Sequence, residues 1–184
     1  YIIDGVIVSN DDIYERKNKN PDHGFAFKMV LSDQVVEAKV LDVIWSASKH
    51  GLMKPRIRIE PVTIGGAKIE YATAFNGNYI YENKIGIGAV VRLVRSGDVI
   101  PHILAVIMPA ETAKMPNNVE WDWNETHVDI VLKDAHQDET VTEKQIITFC
   151  KGVDITGLGE GNVRKIMTTG IDTITKIITM TETE

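Results

Sequence analysis

Between residues 35 and 108 the chain repeats one device: a short run rich in valine, isoleucine and aromatics, then a glycine-bearing break, then another run. "QVVEAKVLDVIWSAS", "RIRIEPVTI", "AKIEYATAF", "AVVRLVR" and "DVIPHILAVIM" are the runs. Gly51 and Pro55 in "KHGLMKP" mark a turn, Ile64-Gly65-Gly66 another, and Ser96-Gly97 a third. "NYIYENK" predicts one short helix among the strands. Many short strands in so little chain bury their apolar faces best by closing on themselves. The expectation is a mixed, mainly β protein built on a small Greek-key barrel. "RIRIEPVTI" also alternates in character, with Arg56 and Arg58 on one face and Ile57 and Ile59 on the other.

The flanks read differently. "YIIDGVIV" and "FAFKMVL" are strand-like, separated by the polar, turn-rich "SNDDIYERKNKNPDHG". Asp4-Gly5 falls at a bend, a bulge or a site. The sequence opens without Met or a signal peptide, and "YIIDGVIVSN" resembles mid-strand, so a piece of a larger protein is expected. After Met108 an acidic, proline-marked stretch follows, with a hairpin expected at 119–133. From Thr142 the apolar period becomes helical, and Ile146, Ile147 and Cys150 share one side. "DITGLGEGNVRKIMTTG" is a turn followed by a helix. "IDTITKIITM" reads either as more helix or as a β-prone run.

Charge is unevenly spread. The net charge is −6, but residues 36–108 carry 9 basic and 6 acidic side chains, whereas 109–143 carry 2 basic and 9 acidic. The barrel region is therefore mildly basic, as a phosphate-binding surface needs, and the acidity sits in one block. A single cysteine, Cys150, excludes a disulfide framework and any four-cysteine zinc site within the chain, and fits a reducing, intracellular compartment. No apolar run approaches the ~20 residues of a membrane span, so no membrane partner is expected. The histidines at 23, 50, 102, 127 and 136 lack paired ligand spacing, and no metal site is assigned.

Several residues are candidates for binding. Gly157-Leu158-Gly159 before a helix would aim backbone N–H groups at a phosphate, with Arg164 and Lys165 nearby; an ordinary helix–helix turn is the alternative. Arg56, Arg58, Arg92 and Arg95 lie on barrel strands and either track a nucleic-acid backbone or simply form a solvated face. Lys28 either snorkels at a sheet rim or faces a pocket. Trp121 and Trp123 share one strand face, which suits a core or a protein contact better than a base-stacking platform.

Five stretches together resemble the NAD-dependent DNA ligases. "IDGVIV" is similar to a segment near the end of their nucleotidyltransferase domain, and "GFAFKM" to that domain's last motif, which ends in lysine. "LDVIWSASKHGLMKPRIRIEPVTIGGAKIEYATAFNGNYI" resembles the opening of their OB domain. "IGIGAVVRLVRSGDVIPHI" resembles its most distinctive stretch, usually written with "RRAGDVIP". "QIITFCKGVDITGLGE" resembles the start of their helix-hairpin-helix domain. The likeness covers most of the chain except roughly 112–142.

The resemblance implies four parts: the tail of a nucleotidyltransferase domain (1–31), an OB-fold domain (32–111), an acidic connector where the family has its zinc finger (112–141), and the start of a helix-hairpin-helix domain (142–184). It implies nick sealing in duplex DNA by adenylyl transfer, with NAD and Mg2+ as cofactors. Nicked double-stranded DNA and the remainder of the ligase chain are the implied partners. Lys28 becomes a contact to the AMP phosphate. Arg92, Arg95, Gly97, Val99 and Ile100 become the corner facing the minor groove, Gly157 and Gly159 the phosphate-binding turn, and Lys49 stands where the family has arginine. Pro101 lacks an N–H and so belongs at a strand edge or bulge.

Three departures qualify this picture. No "K-x-D-G" occurs, so the chain alone is expected to be inactive. Ser9 stands where the family has lysine, so either Lys17 substitutes or the local alignment slips. No cysteines exist for a zinc finger, so zinc is not expected and a divergent, viral lineage is. The rival readings are a non-enzymatic OB module for single strands or RNA, which would need aromatic rings on the barrel face, and a protein-interaction domain acting through the acidic block.

Overall fold

A computed structural model of the chain describes residues 6–15, 19–27, 35–95 and 100–180. Two strands, β1 (Val6–Ser9) and β2 (Gly24–Phe27), form a separate antiparallel hairpin. The main sheet then begins with β3 (Val35–Ala47), β4 (Leu52–Ile64) and β5 (Ala67–Thr73). Helix α1 (Gly77–Glu82) follows, then β6 (Val90–Val94) and β7 (His102–Met108).

These five strands close in the order β3-β6-β7-β5-β4 and back to β3. All neighbours are antiparallel except β5 and β7, which run parallel at the Thr73–His102 pair. This is the expected OB-fold barrel. Closure requires long strands to coil, and bulges supply the bend. Register shifts between Val40 and Asp42 on β3, and between Arg58 and Val62 on β4. β3 pairs with β6 before its bulge and mainly with β4 after it.

The barrel is filled by the inward sets of each strand, among them Val40, Val43, Ile57, Ile59, Ile69, Val91, Leu93 and Ile103. Ile80 of α1, and Ile85 just beyond it, are also fully buried and plug one end. Helix α1 is capped by Asn76, whose side chain accepts from the Tyr79 N–H at 2.8 Å. Residues 110–116 cross that end as a strap. Ala110 and Lys114 donate to the carbonyls of Lys84 and Ile85, and Trp45 Nε1 donates to the Lys114 carbonyl. The strap passes so close to Gly86 that any Cβ there would collide with the Thr112 carbonyl oxygen.

Pro55 departs from the sequence reading. The turn lies at 48–51, closed by Gly51 N–H to Ser48 O at 3.0 Å, and Pro55 sits buried inside β4 opposite Trp45. It is tolerated because β4's other edge changes partner there, from β9 opposite Met53 to β5 opposite Arg56, so the ladder has no bond for a missing N–H to break. Pro101 lies just ahead of β7, and its carbonyl accepts the Thr73 N–H at 3.0 Å.

The acidic stretch is built into the sheet. β8 (Trp121–Trp123) and β9 (Ile130–Leu132) form a hairpin, and β9 pairs with the start of β4. Both tryptophans, with Trp45 and Met115, pack on a second core of Ala47, Met53, Ile130, Leu132 and Val141. Asn124 folds the turn by accepting from the Val128 and Asp129 N–H groups. Most of its acids are exposed, and the half-buried Asp129 pairs with Lys54 at 2.8 Å.

After a single 3-10 turn come α2 (Glu139–Gly152), α3 (Glu160–Thr168) and α4 (Ile174–Thr179). Asp138 caps α2 through the Val141 N–H. Of the two readings of "IDTITKIITM", the helix holds: Thr173 caps α4 and Ile177 is buried. The three helices share a core of Ile146, Ile147, Cys150, Val163 and Ile177. Helix α2 docks on the β3–β4 turn, with Lys144 Nζ donating to Ser46 Oγ and the Ala47 carbonyl, and Gln145 Nε2 donating to the Lys49 carbonyl.

Ile130 is fully buried at the hairpin's joint with the barrel. Replacing it with alanine leaves a cavity there, and Ile130→Ala should cost about 2–5 kcal/mol, read as a lower urea midpoint with an unchanged slope.

Candidate nucleic-acid interface

The alternation of β4 puts Arg56 and Arg58 on the outer wall of the barrel while Ile57 and Ile59 fill its interior. Pairing sets their neighbours. Arg58 lies between Asp42 on β3 and Tyr71 on β5, and Arg56 between Ile44 and Thr73. The Arg56 guanidinium carbon sits 4.4 Å from the centroid of the Tyr71 ring. A guanidinium lying on a ring keeps its charge and most of its donor edge available to an anion.

Asp42 would be the natural quench for Arg58, yet Lys114 answers it first. Lys114 Nζ hydrogen-bonds its carboxylate, and the Val43 N–H donates to the same oxygen at 2.8 Å. The Lys114 hydrogen bond, opposed by burial and helped by the charges of Lys114 and Arg58, holds the Asp42 carboxyl below its ordinary range. Arg58 makes no ion pair among the described residues.

The other barrel arginines are placed differently. Arg92 points outward from β6 and pairs with Glu37 on β3 at 2.6 Å, so its charge is largely cancelled within the sheet. Arg95 follows β6, and its guanidinium reaches toward the Gly65–Gly66 turn. Ile100 is 68% exposed beside Pro101. Lys49 sits half-buried in the β3–β4 turn, where α2 takes its carbonyl. Ser9 ends β1 opposite Gly24. Lys28, Gly97 and Val99, with Asp4 and Lys17, lie outside the described residues.

At the helical end, Gly157 adopts φ +86, a left-handed conformation glycine takes freely. Its carbonyl accepts from Asn162 Nδ2 at 2.7 Å. Leu158 packs into the helical core, and Gly159 caps α3 without a side-chain bond. Arg164 is not aimed at this turn. Its Nε donates to both carboxylate oxygens of the mostly buried Glu143 at 2.9 and 3.0 Å, which raises the guanidinium's affinity for its proton still further. Lys165 remains exposed on α3.

Sequence reasoning missed Tyr71 and the Asp42–Lys114 pair. The β4/β5 bulge disturbs the alternation that would have placed Tyr71 outward, and Lys114 is far from Asp42 in sequence.

Residues 37–115 match the NAD-dependent DNA ligase OB-fold domain family. The barrel belongs to that family. A DNA ligase of Acanthamoeba polyphaga mimivirus is 40% identical over 183 residues, covering 99% of this chain and 28% of the relative. A putative DNA ligase, 052L, of Invertebrate iridescent virus 3 is 37% identical over 97% of the chain and 23% of its own length. A DNA ligase of Leptospira interrogans is 30% identical over 87% of the chain and 25% of its own length. The chain thus spans about a quarter of the length of the relatives it matches. The mimivirus match runs through the acidic stretch that the sequence resemblance left out. Viral ligases stand among the relatives, in keeping with the lineage expected from sequence.

The family name implies NAD. The chain residue that the resemblance assigns to the nucleotide, Lys28, lies outside the described residues. Among the described residues no group of three or more His, Cys, Asp or Glu side chains gathers to hold a metal, and no helix is long and apolar enough to cross a membrane.

Asp42 makes a pH-dependent contribution of defined sign. A carboxyl whose folded value is depressed stabilises the fold above its ordinary value, about 4, and that stability is lost as pH falls through the lower folded value. Asp42→Asn should therefore destabilise the chain at neutral pH. Its gap to the parent should narrow as urea unfolding is repeated below pH 4. A gap that stays constant with pH would count against the pairing with Lys114.

Proposed function

We propose that this chain is the duplex-gripping part of an NAD-dependent DNA ligase that seals nicks. In the whole enzyme a lysine displaces nicotinamide mononucleotide from NAD and takes up AMP. The AMP passes to the 5′-phosphate at the nick, and the 3′-hydroxyl then displaces it with Mg2+ assisting. Phosphoryl chemistry of this kind asks the protein mainly for position and positive charge. Without a "K-x-D-G" lysine, this chain alone holds DNA and performs no chemistry. Lys28 contributes an AMP-phosphate contact once the rest of the nucleotidyltransferase domain surrounds it. The enzyme works inside the cell or at the site of DNA replication.

The observation that carries this reading is the outward Arg56–Arg58 row on β4, with Arg56 laid on Tyr71 and Asp42 diverted to Lys114. The left-handed Gly157 turn ahead of α3 supplies a second phosphate contact. Residues 1–31 belong to the nucleotidyltransferase domain, 32–111 to the OB domain and 142–184 to the helix-hairpin-helix domain. Residues 112–141 take the zinc finger's place and use tryptophan packing instead of metal. The β1–β2 hairpin supports the partnership with the remainder of the ligase. Ile7, Phe25 and Phe27 are exposed on it, and a lone two-stranded ribbon is marginal in water, so the rest of the nucleotidyltransferase domain covers it.

The test is fluorescence anisotropy with a nicked duplex, an intact duplex and a single strand across a salt series. Duplex binding should weaken steeply with salt and exceed single-strand binding. Arg56→Ala and Arg58→Ala should each flatten the log–log salt slope by about 1. Preference for the single strand would favour the non-enzymatic module instead. No salt-dependent binding to any of the three would favour a protein-interaction domain.

A further inference from the structure

β3 carries two acids that lie directly opposite arginines, and the two pairs behave differently. Glu37 faces Arg92 on β6 and closes on it at 2.6 Å. Asp42 faces Arg58 on β4, yet its carboxylate is taken by Lys114, which comes from the strap and not from a neighbouring strand. Residues directly opposite on an antiparallel pair share a face, with Cβ atoms about 5 Å apart, so Arg58 is as well placed for Asp42 as Arg92 is for Glu37. Strand pairing alone would give two closed pairs, and the strap is what leaves one open.

The strap delivers Lys114 from an anchored backbone. Its N–H donates to the Ile85 carbonyl, and its carbonyl accepts from Trp45 Nε1, both at 3.0 Å. Trp45 in turn packs against both the barrel core and the second core. Lys114 Nζ and the Val43 N–H take the same oxygen, Asp42 Oδ1, and Oδ2 has no hydrogen bond among the described residues. The carboxylate thus keeps an acceptor for a guanidinium once the ammonium is gone. The Lys114 hydrogen bond also holds the Asp42 carboxyl below its ordinary range, so the acid is charged at neutral pH. The Lys114 and Asp42 side chains are 34% and 28% exposed, against 44% and 48% for Arg92 and Glu37, so salt screens the strap's pair less.

We propose that Lys114 is a positioning residue for DNA binding: by occupying Asp42 it leaves Arg58 to a backbone phosphate, so the strap sets how many cations β4 presents. This rests on the duplex-gripping reading above. Lys114 contributes through the acid it ties up and not through its own contact with DNA. Without it, Asp42 closes on Arg58 as Glu37 closes on Arg92, and the outward row of two arginines acts as one. Arg56 is spared, because it lies on the Tyr71 ring and opposite Ile44 and Thr73.

The test is a mutant cycle in the full chain, read by nicked-duplex anisotropy across salt. Lys114→Met should bind several-fold more weakly and flatten the log–log slope by about 1. Arg58→Ala should take about 1 from the parent's slope but nothing further from that of Lys114→Met. Adding Asp42→Asn to Lys114→Met should restore the parent's slope, and Lys114→Arg, which keeps the pair, should retain it. An equal effect of Arg58→Ala in both backgrounds would overturn the proposal, since Lys114 would then act only through its own charge. An unchanged slope for Arg58→Ala, in a parent that binds duplex, would overturn it as well and leave the duplex-gripping reading intact. A parent that binds no duplex at any salt would overturn both. Should Lys114→Met melt early, NMR of the Arg58 Nε–H in the DNA-free chain decides the matter independently. Its exchange with water should be fast in the parent and unchanged by Asp42→Asn. Slow exchange that Asp42→Asn accelerates would show Asp42 already closed on Arg58 and overturn the proposal.

Discussion

β3 changes partners at one bulge, and the rest of the structure depends on it. Before Val40 its strand partner is β6; past the bulge its strand partner is β4. An unbroken, flat strand would leave β6 and β4 as the two edges of an open sheet. The extra residue bends the strand so that both edges meet on it. Closure then gives every inward side chain a wall to face, and Ile80 of α1 with Ile85 just beyond it plugs the end. The same bulge leaves Asp42 beside β4, where Lys114 of the strap reaches it.

The acidic stretch shows how one covalent chain can hold two cores in register through side-chain packing. Its hairpin extends the sheet by pairing on the start of β4, and its tryptophans bridge from the barrel to the first turns of α2. Lys144 and Gln145 then bond the β3–β4 turn from the other side. Apolar burial supplies the adhesion, and most of the stretch's carboxylates remain exposed, where they cost little.

Electrostatics on the barrel are decided pair by pair. Arg92 faces an acid and is locally neutral; Arg56 faces a ring; Arg58 faces an acid that already has a lysine. Identical residue types on neighbouring strands therefore present different fields, and a chain of net charge −6 keeps a cationic strip on one wall.

Much of this was legible in the residues themselves. The alternation of "RIRIEPVTI" set the faces of Arg56 and Arg58, because side chains alternate along a strand whatever it pairs with. The run "NYIYENK" announced the short helix α1, and the apolar spacing after Thr142 announced α2, since helical period is local. Pairing is not local. The sequence could not show Glu37 opposite Arg92, Tyr71 beneath Arg56, or Pro55 inside a strand. Each depends on which residue of one strand meets which residue of another, and a bulge of one residue changes that answer.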